Sequence, residues 1–311
     1  MSDNTTDILQ KLEQSIALPS PLQSIIVWNE ESNTQVNYYI KRDDLIDPYI
    51  SGNKYRKLKG QISKYLKNRR QYGSGILTYG GAYSNHLYAT AAVCDRLDIP
   101  MTAIVRGEEA DLSNHTLSYL IKTDAIIHKI SRTDYRLKSD APIVQNLLTT
   151  GQYLEIQEGG NAVEAKVGVA ELSKEITSNI KADYICIASG TGTTARYILE
   201  SIKGTTTRLV ICSAVRDSSV KADIKLKDTE RQVVWIDEQW GGFGKKKPGL
   251  LDSMKHLESV LNIPLEYVYT GKLLTEIDRL RKSGYFRSGS NVVVIHTGGL
   301  RPSSQDLMTR G

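Results

Sequence analysis

Residues 183–200 read DYICIASGTGTTARYILE. An unbroken apolar run ends in Gly190-Thr191-Gly192-Thr193-Thr194 and passes into a helical pattern from Ala195. A strand without polar alternation has both faces covered, which is the signature of a parallel sheet flanked by helices. The turn is richer in glycine and hydroxyls than helix capping requires. Its exposed backbone N–H groups, the positive end of the helix dipole and three threonine hydroxyls predict a cradle for an anion. The stretch also reads G-x-G-x-x-A, which overlaps the dinucleotide fingerprint. That reading would need an acidic residue about 20 positions on, and only Asp217 stands near that place. No GK[ST] follows the glycines, so a Walker A loop is excluded. The cradle suits a monophosphate at least as well as a pyrophosphate.

The same alternation runs along the chain. Candidate strands are 24–28, 36–41, 75–80, 101–107, 125–130, 152–156, 183–189, 208–215, 232–237 and 291–297. Helical patterns fill most gaps, among them 85–97, 162–180, 193–202, 250–261 and 272–282. This β-α-β order predicts an α/β fold of mostly parallel twisted sheets. So many strands exceed one comfortable sheet, so two α/β lobes are expected, with ligands at the carboxyl ends of strands. Glycine-rich points fall at 49–54, 78–86, 188–196 and 295–300, where strands end, and read as walls of one site.

The bulk numbers narrow the class. The chain has 311 residues, 40% of them hydrophobic and 24% charged, with a formal net charge of +5. The excess is thin and spread out, so it does not argue for nucleic acid. Its densest runs, KYRKLK (54–59) and GKKKPG (244–249), read as solvated faces or as a tilt toward anionic small molecules. The polar N-terminus lacks a signal-peptide pattern, and no apolar run reaches the roughly 18 residues of a membrane helix. Cys94, Cys186 and Cys212 sit apart in apolar runs and read as buried thiols of a cytoplasmic protein. The histidines show no metal-binding spacing, so no metal is expected.

Lys54 follows a Ser-Gly-Asn turn at the predicted start of a helix. There the dipole disfavours an ammonium, which suits an amine that must be neutral to attack a carbonyl. A monophosphate cradle and such a lysine together point to pyridoxal 5′-phosphate, bound as a Schiff base.

KRDDL (41–45), SGNKYRKL (51–58), TYGGAYSNH (78–86), EGGN (158–161), SGTGTT (189–194), VYTGK (268–272) and IHTGG (295–299) occur in this order. The set resembles the 1-aminocyclopropane-1-carboxylate deaminase / D-cysteine desulfhydrase family, over nearly the whole chain. The resemblance implies the tryptophan synthase β-like fold type II, with a large cofactor-binding domain of residues 1–59 and 161–311 and a smaller α/β domain, 60–160, inserted into it. It implies a homodimer acting on a small amino acid. Lys54 would carry the cofactor and shuttle the substrate proton. Asn85 would bond the cofactor's phenolic oxygen. Ser84, Asn85 and His86 would grip the substrate carboxylate. Gly190, Thr191, Gly192, Thr193 and Thr194 would hold the phosphate. Tyr269 would lie against the pyridine ring, and Thr297 or Thr270 would partner its nitrogen. Each has a plainer reading: Ser84 as an N-cap, His86 as a packed side chain, EGGN as a domain-crossing turn.

Two departures bear on the chemistry. The deaminase branch has glutamate directly after the ring-stacking tyrosine; Thr270 stands there. A hydroxyl leaves the ring nitrogen neutral and the electron sink weaker, which suits β-elimination better than cyclopropane opening. D-cysteine desulfhydrase-like elimination to pyruvate, ammonia and sulfide is therefore expected, with 1-aminocyclopropane-1-carboxylate deamination as the alternative. Family members also carry a second active-site tyrosine in the segment matching QWGGFGKKKPG (239–249), where Phe243 now stands without a hydroxyl. A weakly catalytic protein that binds the cofactor or amino acids is the third reading.

Overall fold

The computed structural model describes residues 2–30, 35–50 and 52–300; Ser51 of the SGNKYRKL motif lies outside them. The strands are β1 (Leu22–Ser24), β2 (Asn37–Arg42), β3 (Gly75–Gly81), β4 (Met101–Arg106), β5 (Ile126–Ile130), β6 (Tyr153–Ile156), β7 (Tyr184–Ser189), β8 (Arg208–Ser213), β9 (Val233–Ile236) and β10 (Asn291–His296). The helices are α1 (Ser2–Gln14), α2 (Ile26–Glu30), α3 (Asn53–Lys67), α4 (Asn85–Arg96), α5 (His115–Lys122), α6 (Arg132–Leu137), α7 (Pro142–Thr150), α8 (Lys166–Thr177), α9 (Thr193–Ser201), α10 (Ser218–Lys227), α11 (Pro248–Leu261) and α12 (Thr270–Lys282). The chain divides into two compact units, Met1–Ala17 with Lys54–Gly168, and Leu18–Asn53 with Val169–Gly311.

The first unit is built on a four-stranded sheet of order β5-β4-β3-β6, parallel throughout. Leu77, Tyr79 and Ile104 point to one face and pack against Tyr135, Ala141 and Val144 of the α6–α7 region. The second unit holds a six-stranded sheet of order β1-β2-β10-β7-β8-β9. All its pairs are parallel except β1 with β2. Alternate residues of β7, β8 and β10 enter two cores. Cys186, Val210 and Val294 face α11 and α12, while Ile185, Leu209 and Val293 face α8 and α9. Double coverage is why these strands read as continuous apolar runs.

The predicted strand over 24–28 is replaced by β1 and the short helix α2. Ile25 and Trp28 are buried three residues apart while Ile26 is 64% exposed, a helical spacing rather than an alternation. Trp28 lies edge-on to Tyr38 at 5.6 Å, which fixes that turn. The predicted helix over 162–180 opens as a 3₁₀ turn at Val163–Ala165 before α8 begins. The run KYRKLK is not a solvated face: Tyr55, Arg56, Lys57 and Leu58 are buried inside α3. Among the described residues, no helix is long and apolar enough to cross a membrane.

α3 is held on both sides within the first unit. Glu13 of α1 accepts from the Tyr55 hydroxyl at 2.8 Å and pairs with Lys59 at 2.6 Å. At Gly60 the helix meets the backbone before α8 so closely that a Cβ would lie 2.1 Å from the Glu164 carbonyl oxygen. Gly60→Ala should therefore destabilise the fold by about 1–3 kcal/mol through overpacking, although alanine favours a helix by about 1 kcal/mol. A urea midpoint equal to or above that of the parent chain would contradict this packing.

Candidate active site

The carboxyl edge of the six-stranded sheet collects the first set of residues. β10 and β7 are neighbours, in register at Val294 and Cys186. β7 runs into Gly190 and the turn that opens α9; β10 runs into Thr297. Gly192 caps α9 with φ 78°, and Thr193 and Thr194 are buried in its first turn. The Thr191 and Thr193 hydroxyls are 3.2 Å apart. The first N–H groups of a helix have no partner within it, so the turn carries backbone donors and a positive dipole end. Tyr269 closes one side: a Cβ on Gly190 would stand 3.0 Å from its ring and hydroxyl. Any larger residue at 190 would press on the ring, which would have to give by a few tenths of an ångström.

Tyr269 is itself fixed from below. Glu266 accepts the backbone N–H groups of Val268, Tyr269 and Thr270 at 2.7, 2.6 and 2.7 Å. This carboxylate caps α12, whose own N-cap residue offers no side-chain bond. Thr270 is wholly buried, and its hydroxyl has no hydrogen-bond partner. Such a group costs free energy unless something bonds it. Phe243 approaches Tyr269 edge-on, with ring centroids 6.1 Å apart.

Thr297 does a second thing. Its carbonyl accepts the Asn53 N–H at 3.2 Å, and a Cβ on Gly52 would fall 1.9 Å from the same oxygen. Gly52 has φ 66°, where side chains are disfavoured. The start of α3 is thus pinned to the end of β10, and the next residue along is Lys54. Gly298 is set by His296, whose Nδ1 accepts the Gly298 N–H at 3.2 Å while Nε2–H donates to the Pro264 carbonyl at 2.9 Å. Burial, the leading cause, pushes the His296 pKa down, so the ring is neutral.

The first unit holds the second set. Lys54 is half-buried and belongs to the first turn of α3. Lys57 follows one turn on and is 4% exposed. Among the described residues its ammonium forms no ion pair. Burial, and then repulsion from Lys54, hold its pKa well below the usual lysine range. Burial without a counter-charge thus favours the uncharged amine. Ser84 is the N-cap of α4 and accepts the Leu87 N–H at 3.2 Å; Asn85 opens the helix beside it.

His86 departs from the sequence expectation. The Thr78 hydroxyl donates its one proton to the Ile156 carbonyl at 2.7 Å, so the 2.8 Å contact to His86 Nε2 is an N–H donating to Thr78. Nδ1 is then a lone pair, buried without a partner. Burial, followed by the Lys57 and Lys54 charges, holds the pKa far down. A lone pair repels a carboxylate, so what His86 offers such a group is its backbone N–H at the start of α4. The EGGN turn is likewise more than a connection. The hypothetical Cβ of Gly160 would lie 3.2 Å from Lys57 Cβ and 3.8 Å from the His86 ring, so the turn covers both.

Two candidates, Lys57 and Glu266, were missed in the sequence. Lys57 looked like one more charge in a basic run. Glu266 acts on its neighbours through backbone bonds that no spacing rule encodes. Asp217 is accounted for as the N-cap of α10, bonded to Ser219 N–H at 2.9 Å, which removes the acidic partner a dinucleotide reading would need.

Comparison with known proteins agrees with this chemistry. The chain is 27% identical over 285 residues to a Pyrococcus abyssi protein provisionally named 1-aminocyclopropane-1-carboxylate deaminase, covering 85% of each. It is 25% identical to the D-cysteine desulfhydrase of Salmonella choleraesuis over 91% of this chain and 92% of that one. The crystal structure of an ACC deaminase homologue superposes with a TM-score of 0.79 at 22% identity, covering 96% of both chains, which establishes the fold. Residues 16–298 match the family described as pyridoxal-phosphate dependent enzyme, and with a glycine–threonine cradle, a lysine opening α3 and a tyrosine against Gly190 in hand, the chain belongs to that family.

Proposed function

We propose that the chain is a pyridoxal-phosphate dependent lyase of the D-cysteine desulfhydrase type. When bound, the cofactor supplies an aldehyde that condenses with amines and a ring that withdraws electrons from the carbon attached there. The residues described above suit it. The α9 turn, Gly190 to Thr194, takes the phosphate on its backbone N–H groups and hydroxyls. Tyr269 lies along the ring, and Asn85 donates to the phenolic oxygen. Thr297 or Thr270 partners the ring nitrogen, and the unpartnered Thr270 hydroxyl speaks for Thr270.

Lys54 Nζ holds the aldehyde and afterwards takes the proton from the substrate's α-carbon. The positive end of the α3 dipole opposes an ammonium there, which favours the neutral, nucleophilic amine. Ser84 and the first N–H groups of α4 bind the substrate carboxylate. The Cβ–S bond then breaks, thiolate leaves, and water releases pyruvate and ammonia. The residues lie on two units, which we take as the large cofactor-binding domain and the smaller domain; a cytoplasmic homodimer is the setting we assign.

The observation that carries elimination over deamination is Thr270, a buried hydroxyl where the deaminase branch has a carboxylate. A neutral ring nitrogen gives a weaker sink, sufficient when a good leaving group departs at once. The deaminase reading is supported by the names of the Pyrococcus relatives. Phe243 supports a weakly catalytic binding protein, since it lacks a hydroxyl beside Tyr269.

D-cysteine incubated with the cofactor-loaded chain should give sulfide and pyruvate in equal amounts, and Lys54→Ala should lower the rate at least about a thousandfold. Production of 2-oxobutanoate from 1-aminocyclopropane-1-carboxylate, with none of those products from D-cysteine, would instead establish the deaminase. Phe243→Tyr should raise kcat/KM for D-cysteine by about tenfold, the worth of one hydrogen bond near 1.4 kcal/mol. A rate unchanged or lowered would show that the site does not use a hydroxyl there.

A further inference from the structure

Residues 238–244 of the second unit run Glu-Gln-Trp-Gly-Gly-Phe-Gly and form neither helix nor strand. Phe243 near the end of this segment is 59% exposed, and glycines stand on both sides of it. Backbone of that composition has little stiffness of its own. One buried cation holds it. The Lys272 ammonium donates to the Gly242 carbonyl at 2.8 Å, to Glu238 Oε1 at 3.1 Å and to the Ala214 carbonyl at 3.3 Å. Its three protons are all used. Lys272 and Glu238 side chains are only 2% and 1% exposed. Glu238 Oε1 also accepts the Trp240 N–H at 2.7 Å, and the Trp240 indole N–H donates to Glu276 at 3.1 Å. Lys272 lies in the first turn of α12, the end where a cation is least favoured. A buried ion pair in such a place is weak evidence for stability and better evidence for position.

We propose that Lys272 and Glu238 form a latch that fixes residues 238–244 and thereby sets Phe243 against Tyr269, selecting the substrate there. The inference rests on the active-site reading of Tyr269 and Phe243. Lys272 is a positioning residue: it acts through the Gly242 carbonyl and Glu238.

The test uses the cofactor-loaded chain with Lys272→Met, and with Lys272→Met and Glu238→Gln together. Arg216 also pairs with Glu238, at 3.2 Å, so the single variant keeps a partner for that carboxylate, and the paired variant guards against misfolding of the single one. Trypsin should cut after Lys245 or Lys246 about tenfold faster in both variants, with cofactor content unchanged. KM for D-cysteine should rise about tenfold while kcat stays within about threefold. In a Phe243→Ala chain, KM should be raised already, and adding Lys272→Met should raise it no further. Parental cleavage rates in both variants would overturn the latch. So would KM effects of Lys272→Met and Phe243→Ala that multiply. If the parent chain turns over no D-cysteine, the lyase assignment fails while the cleavage comparison still decides the latch.

Discussion

The peptide between Gly52 and Asn53 lies on the backbone of Thr297, and the active-site reading depends on that contact. A Cβ at position 52 would overlap the Thr297 carbonyl oxygen, and the same oxygen takes the Asn53 N–H. Asn53, the residue before Lys54, is therefore tied to the end of β10. β10 lies beside β7, and β7 opens into the Gly190 turn. A reactive lysine needs a defined origin for its side chain more than it needs a rigid tip, and this contact supplies one. His296 and Pro264 keep the following Gly298 in place from the other side.

Charge is buried around these elements more than stability alone would explain. Lys41 pairs with Glu175 at 2.6 Å, and Arg42 forms a two-pronged pair with Asp44 at 2.9 and 2.7 Å, all in the second unit. Each must overcome the desolvation of two ions. What they share is location at the carboxyl end of β2, beside the end of β10. Lys57 differs: among the described residues it forms no ion pair, and burial, then the Lys54 charge, push its pKa down, toward the neutral amine. The paired charges set backbone.

Much of the fold was legible because parallel strands buried on both faces leave unbroken apolar runs, as β7, β8 and β10 do. The misreading at 24–28 arose where five residues fit either period, and Trp28 packing on Tyr38 decided it. In the site, glycine turns at strand ends were visible because close backbone approach demands glycine. The His86 ring was not legible, since its role is set by Thr78 and by a carbonyl at Ile156, 78 residues beyond that threonine. Nor was the Lys272–Glu238 pair, 34 residues apart and joined only by folding. The KYRKLK run misled because lysine is so seldom buried.

Borohydride reduction of the yellow, cofactor-loaded chain, followed by peptide mapping, tests the central assignment most directly. The account predicts a reduced pyridoxyl group on the peptide carrying Lys54, and on no other. A colourless chain that takes up no cofactor, or a pyridoxyl group on Lys57 or another lysine with Lys54 unmodified, would contradict it.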